Sequence, residues 1–327
     1  FSANRRMFMV NRSYEFSWDL IGDLQSGRPN MGVQVNLALY RLMQYTFHEV
    51  ASKKLDRLEG NQIFHDAGNL AGKFFFAHFL TEHKGLPLEA FLGKLRSILD
   101  DNGYRFSGLD SVAIDKGEFA LSVATGIEGA GLDAIKLDDC QYDIGFMEGV
   151  LSKYAGKELK ATTVNVNTTP EISAKLGNKI HLIFYRMLQY TIRDAAERRI
   201  GTEACNQLYY EAGELAGIFF FDNFLASFKA LPLNDFVREL QRILKDLEVG
   251  ILRIEKADVE KGEFILTVSE DLDCSGLPDL GIEVCNYDEG FIAKIFDKYT
   301  GAVFKAKEVD CWCSGDRTCR FAVNRTI

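Results

Sequence analysis

The sequence predicts an α+β fold in two tandem copies, each with long helices packed on a small antiparallel sheet, the two copies joined as a pseudo-dimer. Three observations carry this. Residues 31–160 match residues 176–305 at a constant offset without a gap. Helical and two-residue periodicities alternate in the same order in both halves. The chain of 327 residues is 47% apolar and 26% charged, which is ordinary usage for about two globular domains of ~150 residues.

The repeat is read directly. Leu39–Thr46 (LYRLMQYT) answers to Phe184–Thr191 (FYRMLQYT), and Leu70–Phe76 answers to Leu215–Phe221. Lys116–Phe119 answers to Lys261–Phe264, and Cys140 to Cys285. A unit this long is a whole domain, not a solenoid repeat. The expected division is an N-terminal extension over 1–30, copy one over 31–168 and copy two over 169–327. The short junction near 166–175 predicts that the copies pack together.

Each copy opens on apolar residues at helical spacing. Val35, Leu39, Leu42, Met43, Phe47 and Val50 recur as Ile180, Phe184, Met187, Leu188, Ile192 and Ala195. They predict helices near 33–57 and 178–202. Second helices follow near 61–83 and 206–228. Their small residues, Ala67, Gly68, Ala71 and Gly72, recur as Ala212, Gly213, Ala216 and Gly217. Glycine costs a helix about 1 kcal/mol relative to alanine, so bearing that cost in both copies predicts close approach of another backbone. Leu86-Pro87 and Leu231-Pro232 start third helices, where proline is tolerated. The period then changes to two, and 111–123 and 257–268 read as strand pairs turning at Lys116-Gly117 and Lys261-Gly262. Helices near 143–155 and 288–300 stop at Gly156 and Gly301. Strands follow at 158–166 and 303–312, and only copy two continues into a last strand, 317–323.

A net charge of −9 makes the chain a poor partner for nucleic acid or anionic membrane. Lys305, Lys307, Arg317 and Arg320 interleave with Asp310 and Asp316 and read as a solvated surface. No apolar run reaches the ~18–20 residues of a membrane span. Residues 1–30 hold no apolar signal-peptide core, so the expected location is the cytoplasm. Reduced there, the seven cysteines are buried apolar residues or metal ligands. The five histidines lack metal-ligand or nucleophile spacing, and no carboxylate pair stands out, so no catalytic residue is expected. Gly129–Ala134 matches a dinucleotide pattern but lacks the helix that would hold a pyrophosphate, and it reads as a loop.

The end of copy two carries the strongest chemistry. Strands flanking Ser314-Gly315-Asp316 would bring Cys311 and Cys319 across a hairpin, and Cys285, just before a helix, supplies a third sulfur. Glu308, three residues before Cys311, completes a tetrahedral set suited to zinc if the strand is irregular there; Asp310, Cys313 or Asp316 could take its place. Cys205 and Cys274 read as small buried apolar residues. Copy one has Thr163 and Val166 where Glu308 and Cys311 stand, so it is expected to hold no metal.

Glu-x-x-Cys-x7-Cys closing a domain, a cysteine well upstream, the YRLMQYT-type helix and the AGxxAG helix together resemble the 4-vinyl reductase domain family. The resemblance covers both copies and is strongest over 178–323. It implies a fold like that of TRAPP vesicle-tethering subunits, a zinc held by Cys285, Glu308, Cys311 and Cys319, and a pocket for a small aromatic or hydrocarbon ligand. Sensory domains of phenol-responsive regulators belong to this family, and other members are linked to bacteriochlorophyll synthesis. On this basis the expected pocket lies near Tyr185, Tyr210, Phe220, Phe264 and Phe291. The expected function is a small-molecule-binding sensor; the alternatives are an accessory protein or reductase in tetrapyrrole metabolism, and an assembly module that binds a protein partner or a second copy through its long helices.

Overall fold

A computed structural model describes residues 14–104, 108–122, 141–165 and 178–326. The Gly129–Ala134 loop, Cys140 and the junction near 166–175 lie outside them.

Copy one begins with β1 (Gln34–Asn36), followed directly by α1 (Leu37–Lys54). Copy two begins likewise with β5 (Lys179–His181) and α5 (Leu182–Ile200). The Asn36 side chain accepts from the Ala38 N–H and the His181 ring from the Ile183 N–H, so each strand's last residue caps the helix after it. Here the structure corrects the expected helix starts. Val35 and Ile180 are strand residues, buried and paired with each other across an antiparallel β1–β5 ladder. Three residues are too few to show an alternation, and Val35 sits four before Leu39, which mimics a helical stripe.

The next helices are α2 (Arg57–Phe75) and α6 (Thr202–Phe220). Each then widens into a π turn, Phe76–Leu80 or Phe221–Leu225, before a short 3-10 turn. The wide turn lets neighbours Phe75 and Phe76, and Phe220 and Phe221, all be buried. The third helices are α3 (Leu88–Asp101) and α7 (Leu233–Asp246), with Pro87 and Pro232 at their caps. The last are α4 (Gln141–Ala155) and α8 (Asn286–Thr300). The small residues of α2 and α6 do admit another backbone. A Cβ on Gly68 or Gly72 would overlap the carbonyl of Tyr142 or Phe146 in α4, and one on Gly145 or Gly149 would overlap carbonyls of α2. Gly213, Gly217 and Gly290 repeat the arrangement between α6 and α8.

The sheets differ in one informative way. Copy two has β6 (Ile251–Asp258), β7 (Glu263–Ser269), β8 (Phe304–Asp310) and β9 (Cys319–Arg325), ordered β6-β7-β9-β8 and antiparallel throughout. Copy one has β2 (Gly108–Ala113), β3 (Glu118–Ser122) and β4 (Lys160–Asn165), and β4 pairs with β3 in parallel. The extra strand β9 thus wedges between the counterparts of β3 and β4. The expectation of a wholly antiparallel sheet holds for copy two and fails for copy one, because nothing separates its outer strand from β3.

The copies pack through their helices, α2 against α5 and α1 against α6. Arg199 of α5 reaches Glu59 at 2.7 Å and Asp66 at 2.6 Å, and Thr46 shares a buried hydrogen bond of 3.1 Å with Tyr287. The faces of the long helices that the sequence offers to a partner are therefore covered by the sister copy. The described part of the N-terminal extension lies across both copies, Trp18 stacking on His78 of copy one with ring centroids 3.8 Å apart. On copy two, the Phe16 N–H donates to Asp194 at 2.8 Å, the Asp23 N–H to the Gly276 carbonyl at 2.8 Å, and the Asn30 N–H to Glu270 at 2.8 Å.

Candidate functional site

Four cysteine sulfurs converge in copy two. Cys311 follows β8 and Cys319 opens β9, so the C-terminal hairpin sets both. Cys285 caps α8, and Cys274 lies in the loop that leads from β7 towards it. All four are at most 1% exposed, and their sulfurs lie within 4.8 Å of one another. Cys285 Sγ is 3.9 Å from Cys311 Sγ and 3.8 Å from Cys319 Sγ, and Cys274 Sγ is 2.9 Å from Cys319 Sγ. A tetrahedral zinc with Zn–S near ~2.3 Å has sulfur–sulfur edges of about 3.8 Å, so the two longer separations have the size such an ion needs. The donor set fits a zinc-type cation: soft sulfurs, closely spaced and buried.

Glu308 reaches this cluster from β8. The β8–β9 register shifts between Glu308 and Asp310, which supplies the irregularity that turns Glu308 and Cys311, three residues apart, to the same side. Glu308 is 1% exposed; its Oε2 accepts from the Cys285 N–H at 3.4 Å, while its Oε1 is buried without a hydrogen-bond partner. Burial, with the adjacent Cys311, pushes its carboxyl up to about 9. Cys311 is held far below the usual thiol range because Cys274, Cys285, Cys313 and Cys319 all reach it as hydrogen-bond donors.

The other candidates separate. Asp310 pairs with Arg320 and Asp316 is exposed, so neither faces the cluster. Cys313 is buried beside it, but its sulfur is outside the converging four, and its carbonyl ties down the Leu280 and Gly281 N–H groups at 2.8 and 3.0 Å. Cys205 is a buried apolar residue against the Arg193 carbonyl at 3.9 Å, its thiol pushed up to about 12 by burial. Cys274 departs from the reading as an isolated apolar residue. It follows no short Cys-x-x-Cys spacing, and its only sequence signal is that copy one has Gly129 in its place.

Carboxylates crowd the same region. Asp271 Oδ1 accepts from the Asp273 N–H at 2.7 Å and the Cys274 N–H at 3.2 Å. Tyr185 Oη donates to Asp273 at 2.9 Å, and burial followed by the charge of Asp271 pushes Asp273 up to about 7. Asp288 is pushed well above the usual carboxyl range by burial.

Each copy has a cavity at the same place, between its third and last helices. In copy one Leu95, Leu99, Tyr104 and Met147 line a space of about 320 Å³, with Glu89, Arg96 and Asp100 also lining it. Their counterparts Leu240, Leu244, Val249 and Ile292 line only about 30 Å³ in copy two, together with Asp271, Asp288 and Phe291. Of the five expected pocket aromatics, Phe291 lines one of these two spaces. Phe291 borders the small space and packs on Phe220 with ring centroids 5.0 Å apart. Phe264 packs on Phe296 and Phe304, Tyr185 is bound to Asp273, and the Tyr210 carbonyl abuts Gly290. Phe220 and Phe291 fill the α6–α8 interface that glycine brings close. The larger of the two spaces is in the copy without the cysteine cluster, walled by aliphatic and charged residues of α3 with Tyr104 and Met147.

Residues 264–325, which contain β7 to β9, match the family model of the 4-vinyl reductase domain. Two uncharacterized proteins of Methanocaldococcus jannaschii are similar in sequence. MJ0150 is 31% identical over 90 residues, 28% of this chain and 51% of its own length. MJ1642 is 26% identical over 149 residues, 46% of this chain and 80% of its own. The chain thus spans about half the length of MJ0150. Among solved structures, the phenol-responsive sensory domain of the transcription activator PoxR with phenol aligns at TM-score 0.35 and 12% identity, over 41% of this chain and 71% of that one. A trafficking protein particle complex subunit 3 from Naegleria fowleri, covalently bound to palmitic acid, gives 0.32 and 14%, over 38% and 82%. A vinyl-4-reductase family protein from M. jannaschii gives 0.30 and 17%, over 48% and 89%.

Proposed function

We propose that this chain is a two-copy ligand-binding module: copy one takes a small apolar or aromatic molecule, and a zinc in copy two holds the C-terminal hairpin to the fold. The observation that carries the ligand half is the cavity of about 320 Å³ between α3 and α4. Its size is that of a site for a small organic molecule. Tyr104 lines the space, and its hydroxyl donates to the buried Asp143. A pure assembly module predicts no such space, and the helices it would use are covered by the sister copy.

The metal half rests on Cys285, Cys311 and Cys319, with Glu308 or Cys274 as fourth donor. Four protein ligands leave no open position for a substrate, so such a zinc is structural and its binding energy is folding energy. Among the described residues no helix is long and apolar enough to cross a membrane. A fluorescence and calorimetric screen of phenols and short hydrocarbons against the full chain tests the ligand half. Saturable binding is expected; no binding by folded, zinc-loaded protein would overturn it. Elemental analysis tests the metal half, with one zinc per chain expected.

A further inference from the structure

We infer that the fourth donor is Cys274, so that the cation is held by four sulfurs and Glu308 stands beside them without ligating. This rests on the metal half of the proposed function and specifies its ligand set.

The convergence is the first argument. The sulfurs of Cys274, Cys285, Cys311 and Cys319 are mutually within 4.8 Å, and no oxygen of Glu308 joins that group. The Cys274–Cys319 separation of 2.9 Å is short of a tetrahedral edge. A sulfur displacement of about 1 Å, available to a single χ1 rotation, opens it to the ~3.8 Å that a zinc requires.

The backbone around Cys274 is prepared for ligation. Its N–H donates to Asp271, and its carbonyl accepts from the Leu277 N–H at 3.0 Å. Arg186, fully buried, donates to the Leu272 carbonyl at 3.2 Å and the Ser275 carbonyl at 2.6 Å, gripping the loop on both sides of Cys274. Arg193 does the same beside Cys285, donating to the Val284 carbonyl at 3.2 Å. Two buried guanidiniums thus fix the two loops that carry Cys274 and Cys285, as outer partners of metal sites do. Glu308 accepts the Cys285 N–H through Oε2 at the start of α8, and its carboxyl lies beside the Cys285, Cys311 and Cys319 sulfurs as an outer partner of the set.

The repeat supplies the control. Gly129, Thr163, Val166 and Ala174 stand in copy one where Cys274, Glu308, Cys311 and Cys319 stand in copy two, so Cys274 is missing from the copy that keeps only Cys140, the counterpart of Cys285.

X-ray absorption at the zinc edge of the full, zinc-loaded chain tests this without mutation. Four sulfurs at ~2.3 Å are expected; three sulfurs with one oxygen at ~2.0–2.2 Å overturn the assignment. Cobalt-substituted variants give a second readout. In Cys274→Ser the thiolate-to-cobalt absorption falls by about a quarter, because one of four thiolates is lost, whereas Glu308→Gln leaves it unchanged. Full absorption in Cys274→Ser overturns the assignment. A chain that retains no zinc sinks the metal half of the proposed function as well; a zinc bound by three sulfurs and an oxygen sinks only this inference.

Discussion

Cys285 and Cys319, 34 residues apart in the chain, hold their sulfurs 3.8 Å from each other across the start of α8 and the start of β9. A cation between them would tie the last hairpin to the helix layer. Removal of zinc by a chelator should therefore lower the melting temperature by about 10 °C or more, since structural zinc energy is folding energy. Calorimetry of metal-loaded and stripped protein measures it. An unchanged transition after verified removal of the metal would show that the hairpin is held by packing alone.

The glycine contacts make a paired prediction. In Gly213→Ala the new methyl meets the Tyr287 carbonyl, and a well-packed helix interface resists such insertion by about 3 kcal/mol. In Gly93→Ala the new methyl meets nothing on the exposed face of α3, and the gain in helix propensity should stabilise by about 0.5–1 kcal/mol. Denaturant midpoints of the two variants should move in opposite directions. A shift in the same direction would contradict the close backbone approach.

His65 of α2 predicts a pH dependence. Asp66, and Glu148 at 2.8 Å, raise its imidazole to about 9 from the usual 6.5. A raised histidine stabilises fully below its unfolded value and loses that contribution as pH climbs through its folded one. The stability advantage of wild type over His65→Gln should then be greatest below pH 6.5 and shrink towards about 9. Thermal melts of both proteins across that window decide it; an advantage that grows with pH contradicts the assigned partners.

Filling the copy-one cavity should separate ligand binding from metal binding. Leu92→Trp places an indole in the space beside Leu95 and Tyr104 and should weaken any apolar ligand by at least about tenfold, or about 1.4 kcal/mol. Zinc content should not change, because the cysteines are in the other copy. Equal affinity in the variant would move the ligand site elsewhere.

What the sequence shows and what it hides follow from distance along the chain. The repeat, the amphipathic helices and the glycine stripe are local patterns, and the structure reproduces them. Cys285, Cys311 and Cys319 are also legible, because a hairpin and a helix cap constrain where they point. Cys274 is not: its place depends on how a loop folds back under the grip of Arg186, which lies 86 residues before Leu272 and 89 before Ser275. The β1–β5 ladder is three residues long on each side and joins segments whose pairing no periodicity announces. The cavity escapes for a related reason. Its walls mix ordinary leucines, a methionine and a tyrosine with charged residues of α3, and only the relative setting of α3 and α4 leaves space between them.

That small ladder has a consequence for the chain as a whole. Val35 and Ile180 pair across the boundary between copies, and the helices on either side interlock behind them. The covalent joint is thus redundant once folding is complete. A protease cut at the junction should leave two fragments that migrate as one particle, and two separately expressed halves should find each other, which makes this chain a tethered heterodimer in all but connectivity.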